Sequence, residues 1–225
     1  MCLEQRIWIR WRERQRSFPA PVNAPRPPAR ASRTALRWES ARAESRQRIL
    51  HAAGEVFAED GFESGTMKRI AEVCGITKVT IYAHYRDKER LYRAVMDGHL
   101  GSMPKPTLEM RREVGLRDAL TCIVQGIRML AGDPSCQAFC QILLRSDMHK
   151  SVYMDRWNEV LQPYRQAAVR ALSDVSPKLN NGEDGEKFLR LILAEQGLPK
   201  GTAPVSGCNA TIELFTRSYG YGSLG

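Results

Sequence analysis

The chain is 225 residues long, enough for one large helical domain or two smaller ones whose core needs neither disulfides nor metals. Its hydrophobic share is 43%, and no apolar run approaches the roughly 20 residues of a membrane helix, so a cytoplasmic protein without a membrane partner is expected. The formal net charge is +9, but residues 1–40 hold nine Arg against Glu4, Glu13 and Glu39, whereas residues 41–99 hold ten basic and nine acidic residues; general basicity therefore says little about the body of the chain.

Residues 1–40 combine those arginines with Pro19, Pro21, Pro25, Pro27 and Pro28 and an isolated Ile7, Trp8, Ile9, Trp11 cluster. No periodic face is long enough to bury, and a disordered extension is expected, without the apolar stretch of a signal peptide. Three readings of it compete: a basic arm for phosphates or a minor groove, a solvated tail without a role, or a reading frame begun too far upstream.

From Glu44 to Asp60 the apolar residues Ile49, Ala52, Ala53, Val56 and Phe57 recur at helical spacing, and Gly61 is placed to end the helix. Thr66 is an N-cap for a second helix carrying Met67, Ile70, Ala71 and Cys74 on one face. Gly75 breaks that helix, and Thr77 caps a third within three residues. Two short helices joined by a glycine turn are the sequence form of a helix-turn-helix, in which the second helix enters the DNA major groove. Ile76, Ile81 and Tyr85 point to the core, which leaves Lys78, Val79, Thr80, Tyr82, Ala83 and His84 outward with no acidic side chain among them. Lys68, His84 and Lys88 add local positive character. Asp87 caps a fourth helix towards His99; a lysine in its first turn, Lys88, opposes the helix dipole and so has a purpose other than helix stability.

Beyond Gly101, Pro104 and Pro106, apolar periodicity marks helices at about 116–131, 135–146, 150–174 (with Pro163 inside), 184–196 and 208–218. The last two are short and are separated by a Gly- and Pro-rich stretch, 197–207. Six cysteines, at 2, 74, 122, 136, 140 and 208, show no CxxC spacing; reduced thiols are expected, with Cys136 and Cys140 either two small apolar residues on one helix face or a sensor pair. The four His are scattered, and no Gly-rich phosphate loop, nucleophile elbow or HExxH occurs, so neither cofactor, metal nor catalytic residue is expected. Asp147, His149, Glu183 and Asp184 read as solvated polar groups at helix ends.

The run Arg48-Ile49-Leu50, Ala52-Ala53, Phe57, Gly61-Phe62, Thr66-Met67, Ile70-Ala71, Gly75-Ile76-Thr77, Ile81-Tyr82, His84-Tyr85, Asp87-Lys88-Glu89 and Leu91 resembles the N-terminal DNA-binding domain of the TetR family of bacterial transcriptional regulators. The resemblance spans about residues 44–96. Val79 stands where the family often has a small residue, and Tyr85 where Phe is commoner.

The resemblance implies an all-α chain, with a three-helix helix-turn-helix DNA-binding domain at 41–99 and a C-terminal helical effector-binding and dimerisation domain at 103–225. It implies a homodimeric regulator, read here as a repressor, that binds a palindromic double-stranded DNA operator and is released by a small-molecule effector. Carried over by position, the DNA-binding residues are Thr66, Lys68, Thr77, Lys78, Val79, Thr80, Tyr82, His84 and Lys88. Thr66, Tyr82, His84 and Lys88 would hold phosphates, and Lys78, Val79 and Thr80 would face base edges. Met110, Met129, Phe139, Tyr153 and Trp157 are candidate effector-pocket linings, set against the plainer reading that such residues form core. The rival classes are a nonspecific basic DNA-packaging protein and a helical enzyme or small-molecule binding protein with a TetR-like head.

Overall fold

The computed structural model describes residues 33–106, 115–175, 181–199 and 208–220. Among them lie nine helices and no strand: α1 (Arg33–Ser64), α2 (Met67–Cys74), α3 (Lys78–His84), α4 (Lys88–Ser102), α5 (Leu116–Gly132), α6 (Pro134–Arg145), α7 (Lys150–Val175), α8 (Asn181–Glu195) and α9 (Cys208–Gly220). The chain divides after Ala43, and Glu44–Gly225 forms one compact unit.

Helix α1 starts at Arg33, so residues 33–40 are helical where a disordered extension was expected; residues 1–32 lie outside the described residues. Good helix formers explain the difference, since Arg33–Arg48 contains neither Gly nor Pro to stop a helix from running N-terminally. Ile49, Ala52, Ala53, Val56 and Phe57 are all buried, as their period requires. Gly61 breaks α1 with φ 76° and ψ 175°, a region open essentially to glycine alone.

Leu91, Tyr92, Val95 and Met96 of α4 are buried, with Tyr92 edge-on to Phe57 and Phe62 of α1 and Val95 beside Gly54, and α4 continues to the body of the molecule by lying against α6. Helix α6 opens with Pro134 in its first turn and is capped by Asp133, whose carboxylate accepts from Cys136 N at 3.0 Å. Its buried face, Cys136, Phe139, Cys140, Ile142 and Leu143, meets α5 and α7. Helix α7 bridges α5 and α8; Phe188 of α8 and Phe215 of α9 close the far end edge-to-face at 5.2 Å. Each fully buried Leu, Ile, Val, Phe or Met side chain stabilises this arrangement by about 1.5–3 kcal/mol, which is why periodicity located the helices well.

Two expectations about polar residues change. Asp147 has the exposed side chain expected of a helix-end group, although its N–H donates to Glu63 Oε1 at 3.1 Å; His149 does not, since its Nε2 lies 2.9 Å from Glu89 Oε1 and 3.0 Å from Arg93. Their partners are far away in sequence, which helical spacing does not reveal. Asp184 likewise accepts from the Tyr219 hydroxyl at 2.8 Å, joining α8 to α9. Cys136 and Cys140 are both buried, and the hydrogen bond between them together with desolvation pushes the Cys136 thiol far up, away from the thiolate that redox or metal chemistry requires.

Candidate nucleic-acid interface

The second and third helices are set by caps. Thr66 takes an extended backbone, φ −114° and ψ 147°, and its Oγ1 accepts from Arg69 N at 3.1 Å. Gly75 lies in the left-handed region at φ 69° and ψ 32°. There the Gly75 N–H donates to Glu72 O and the Ile76 N–H to Ala71 O, so two otherwise orphaned carbonyls at the end of α2 are satisfied. Thr77 caps α3 by accepting from Thr80 N at 3.2 Å, and the two threonine hydroxyls are 2.9 Å apart.

This frame fixes the face of α3. Ile81 is wholly buried and Tyr85 nearly so, with burial raising the Tyr85 phenol above its ordinary range against the opposing pull of Arg46. Opposite them, Val79 is 78% exposed and Tyr82 43% exposed, Lys78 and Ala83 are exposed, and Thr80 and His84 are half-buried. Lys78 Nζ sits 5.7 Å from the centre of the Tyr82 ring, which holds the cation over an aromatic face at the surface. An exposed valine beside a lysine, a threonine and a tyrosine, with no carboxylate along α3, is a surface suited to thymine methyls, base-edge acceptors and phosphates.

The flanking residues behave differently from one another. Lys68 is on the outside of α2, loosely paired with Glu72 at 3.8 Å, a solvated pair that costs little to exchange for a phosphate. Arg69 is committed to Glu59 and Asp60, at 2.6 and 2.7 Å, and so ties α2 to the end of α1. Lys88 is half-buried, and its ammonium donates to Phe62 O at 2.7 Å, Gly65 O at 3.0 Å and, more weakly, Glu63 O at 3.3 Å, while lying 4.3 Å from the centre of the Phe62 ring. An ammonium has three protons, so the phosphate contact expected of Lys88 competes with three carbonyls in place. The lysine that opposed the α4 dipole is explained by these acceptors.

Two residues without a role in the sequence reading lie beside α2 and α3. Arg48 donates to Cys74 O at 3.0 Å, capping the C-terminal end of α2 with a cation. Arg86 is exposed between α3 and α4 on the same stretch as Tyr82 and His84. Nothing in helical periodicity marks either, because Arg48 acts across 26 residues and Arg86 lies between helices.

Of the expected effector linings, Phe139, Tyr153 and Trp157 come together and Met129 lies apart from them. Met110 lies outside the described residues. Phe139, Tyr153 and Trp157 are buried core: Phe139 packs on Tyr153 at 6.3 Å and on Trp157 at 6.1 Å, Tyr153 on Tyr92 at 5.9 Å, and Tyr92 on Phe57 and Phe62 at 5.3 and 5.1 Å. Burial, with help from Asp97, pushes the Tyr153 phenol up to about 12. Met129 instead is 70% exposed and lines a depression of about 170 Å³ with Pro104, Lys105, Pro106, Cys122, Gln125, Gly126 and Tyr164.

With this geometry in hand, comparison with known proteins is specific. Residues 49–95 match the family described as bacterial regulatory proteins, tetR family. This segment of the chain is similar to the DNA-binding region of the TetR family. Over 52 residues it is 46% identical to the HTH-type transcriptional regulator UidR of Escherichia coli K12, covering 23% of this chain and 26% of that protein. Over 109 residues it is 29% identical to the regulator SrpR of Pseudomonas putida, covering 48% and 49%. The chain thus matches from a quarter to a half of the length of these relatives. Among solved structures, MexZ of Pseudomonas aeruginosa, a repressor responsible for antibiotic resistance, superposes with a TM-score of 0.58 at 20% identity over 80% of this chain and 94% of MexZ. At that identity the likeness establishes the fold: a TetR-type helix-turn-helix followed by an all-helical C-terminal domain.

Proposed function

We propose that this protein is a TetR-family transcriptional repressor that binds a palindromic operator as a homodimer through α2 and α3 and is released by a small molecule. The observation that carries the reading is the outward face of α3. Lys78, Val79, Tyr82 and Ala83 are exposed on a helix capped at Thr77 and anchored by Ile81, with no acidic side chain among them. Because residues 41–99 are almost neutral overall, the placed side chains favour reading of a defined sequence over bulk attraction to phosphate.

In this reading Lys78, Val79 and Thr80 meet base edges. Tyr82 and His84 meet phosphates, joined by Thr66, Thr77 and Lys68 at the ends and outer side of the frame. Lys88 holds the loop before α2 and acts on DNA through it. A second copy completes the site, since one seven-residue helix reads only a half-site and two half-sites must lie one DNA turn, about 34–36 Å, or a multiple of it apart. Leu191 and Leu214, large apolar side chains left exposed on α8 and α9, support a dimer face there. The exposed depression at Met129 supports an effector entrance; at about 170 Å³ it is smaller than the usual 300–1,000 Å³ of a ligand site, so occupancy favours a rearranged state of the helices around it and shifts the population away from DNA.

Footprinting on DNA flanking the gene tests the reading. Protection of one short palindrome, lost on Lys78→Ala or Thr80→Ala with a changed base preference, is the expected result. Equal binding to any duplex, falling only with salt, would overturn it in favour of nonspecific packaging.

A further inference from the structure

The segment between Glu59 and Gly65 carries α1 into the helix-turn-helix, and it is gripped from the C-terminal domain. At Gly61 the helix breaks and a new turn begins, closed by Gly65 N–H donating to Gly61 O at 3.1 Å. The Phe62 N–H is thereby left at the start of a turn with no capping side chain of its own. It is buried, and an unpaired buried N–H is costly. The acceptor is the Ser146 hydroxyl, at 2.9 Å and 84 residues away, on the residue that ends α6.

Ser146 is 1% exposed, one of the few buried polar residues among those described. Beside it lies Tyr92, wholly buried, whose hydroxyl has no hydrogen-bond partner of standard geometry and on which Ser146 is the neighbouring hydroxyl that acts. Three more contacts converge on the same segment. The Asp147 N–H donates to Glu63, the Arg145 guanidinium donates to Glu59 O, and Arg145 O sits so close to Gly61 that a Cβ there would be 2.3 Å from it. The held segment leads directly to the Thr66 cap of α2, and Lys88 clamps its carbonyls from the other side.

We propose that Ser146 is a positioning residue for DNA recognition, its hydroxyl fixing the Phe62 backbone so that the end of α6 sets the pose of α2 and α3. It touches no DNA itself. A displaced elbow at Arg145–Asp147 moves the segment that carries Thr66, and with it the spacing of two recognition helices in a dimer. The inference rests on the DNA-binding reading above for its consequence, and on the fold alone for its mechanics.

The test uses the full chain and Ser146→Ala, with two readouts. In the protein without DNA, amide hydrogen exchange at Phe62–Arg69 becomes faster in the variant, while exchange at Ile123–Leu130 in α5 stays as in the wild type. On a duplex enriched by the wild-type protein from a randomised pool, Ser146→Ala binds roughly tenfold more weakly, keeps its affinity for a scrambled duplex and keeps its salt slope, because no phosphate contact is lost. Should Ser146→Ala fail to fold, Glu63→Ala, at an exposed site, removes the acceptor of Asp147 N–H and gives a smaller loss of about threefold in the same direction, with faster exchange at Asp147 and Phe62. Wild-type exchange and wild-type operator affinity in a folded variant overturn the proposal. A wild-type protein that enriches no duplex overturns the DNA-binding reading instead, and the exchange comparison still decides whether Ser146 holds the segment.

Discussion

The helices at the DNA end and those of the C-terminal domain use the same kinds of side chain in opposite ways. On α3, Val79 and Tyr82 are apolar or aromatic and exposed; in the C-terminal domain, Phe139, Tyr153 and Trp157 are sealed in the core. The short helices α2 and α3, eight and seven residues long, could not stand alone in water; caps and one buried face hold them, and everything else is left to face outward. The long helix α7 buries eight side chains along 26 residues, among them Tyr153, Trp157 and Tyr164. The difference teaches that a helix too short to be all core leaves most of its side chains facing outward, whereas aromatic side chains on the longer helices are drawn into a shared core.

The largest expected effect separates core from pocket. Phe139→Ala should lower unfolding stability by about 3–5 kcal/mol, the range for a buried Phe, whereas Met129→Ala at its exposed position should stay within about 0.5 kcal/mol. Denaturant unfolding of the two variants checks this, and a small loss for Phe139→Ala would return Phe139 to the pocket. Next, Gly61→Ala should cost on the order of 3 kcal/mol, because φ 76° with ψ 175° is closed to other residues and the new Cβ meets the Arg145 carbonyl. It should also loosen the helix-turn-helix without touching α3.

A smaller contrast lies within the DNA-binding half. Thr66→Ala removes a cap worth about 1 kcal/mol, readable as a drop in Tm. Lys78→Ala leaves Tm unchanged and alters base preference by about 1–3 kcal/mol at the positions it reads. Lys88→Met should behave like the cap variant: a lower Tm with the salt slope of DNA binding retained, since its ammonium is directed at Phe62, Glu63 and Gly65 carbonyls. A slope reduced by about 0.9 would instead mark one lost phosphate contact.

The smallest effect is one of pH at the junction of α1 and α4. His99 lies against Gly54, and burial depresses its imidazole pKa, with Asp133 opposing and His51 adding to the depression. The folded ring binds its proton less tightly than the unfolded one. Its contribution is therefore complete above the ordinary value of 6.5 and is lost as pH falls through the depressed value. Tm measured from neutral to mildly acidic pH should fall more steeply in the wild type than in His99→Gln. Glu89, held below the usual carboxylate range by its hydrogen bonds to His149 and then Arg93, acts only at lower pH still, below 4.5.

What was readable without coordinates follows from locality. Apolar period located α2 through α9 to within a few residues, and Thr66, Gly75, Thr77 and Asp87 marked their own caps, because a cap acts on a backbone group two or three residues away. The outward face of α3 followed from the same period. Only the tertiary structure decided what the long side chains and helix-end polar groups do. Lys88 reaches carbonyls 23 to 26 residues back, Arg48 caps α2 from α1, and His149 meets Glu89 across 60 residues. The same holds for apolar residues: helical spacing distinguishes a buried face from an exposed one, but whether Phe139 and Met129 meet a ligand, another ring or water depends on which helix packs opposite, and that is set by the whole core closing at once.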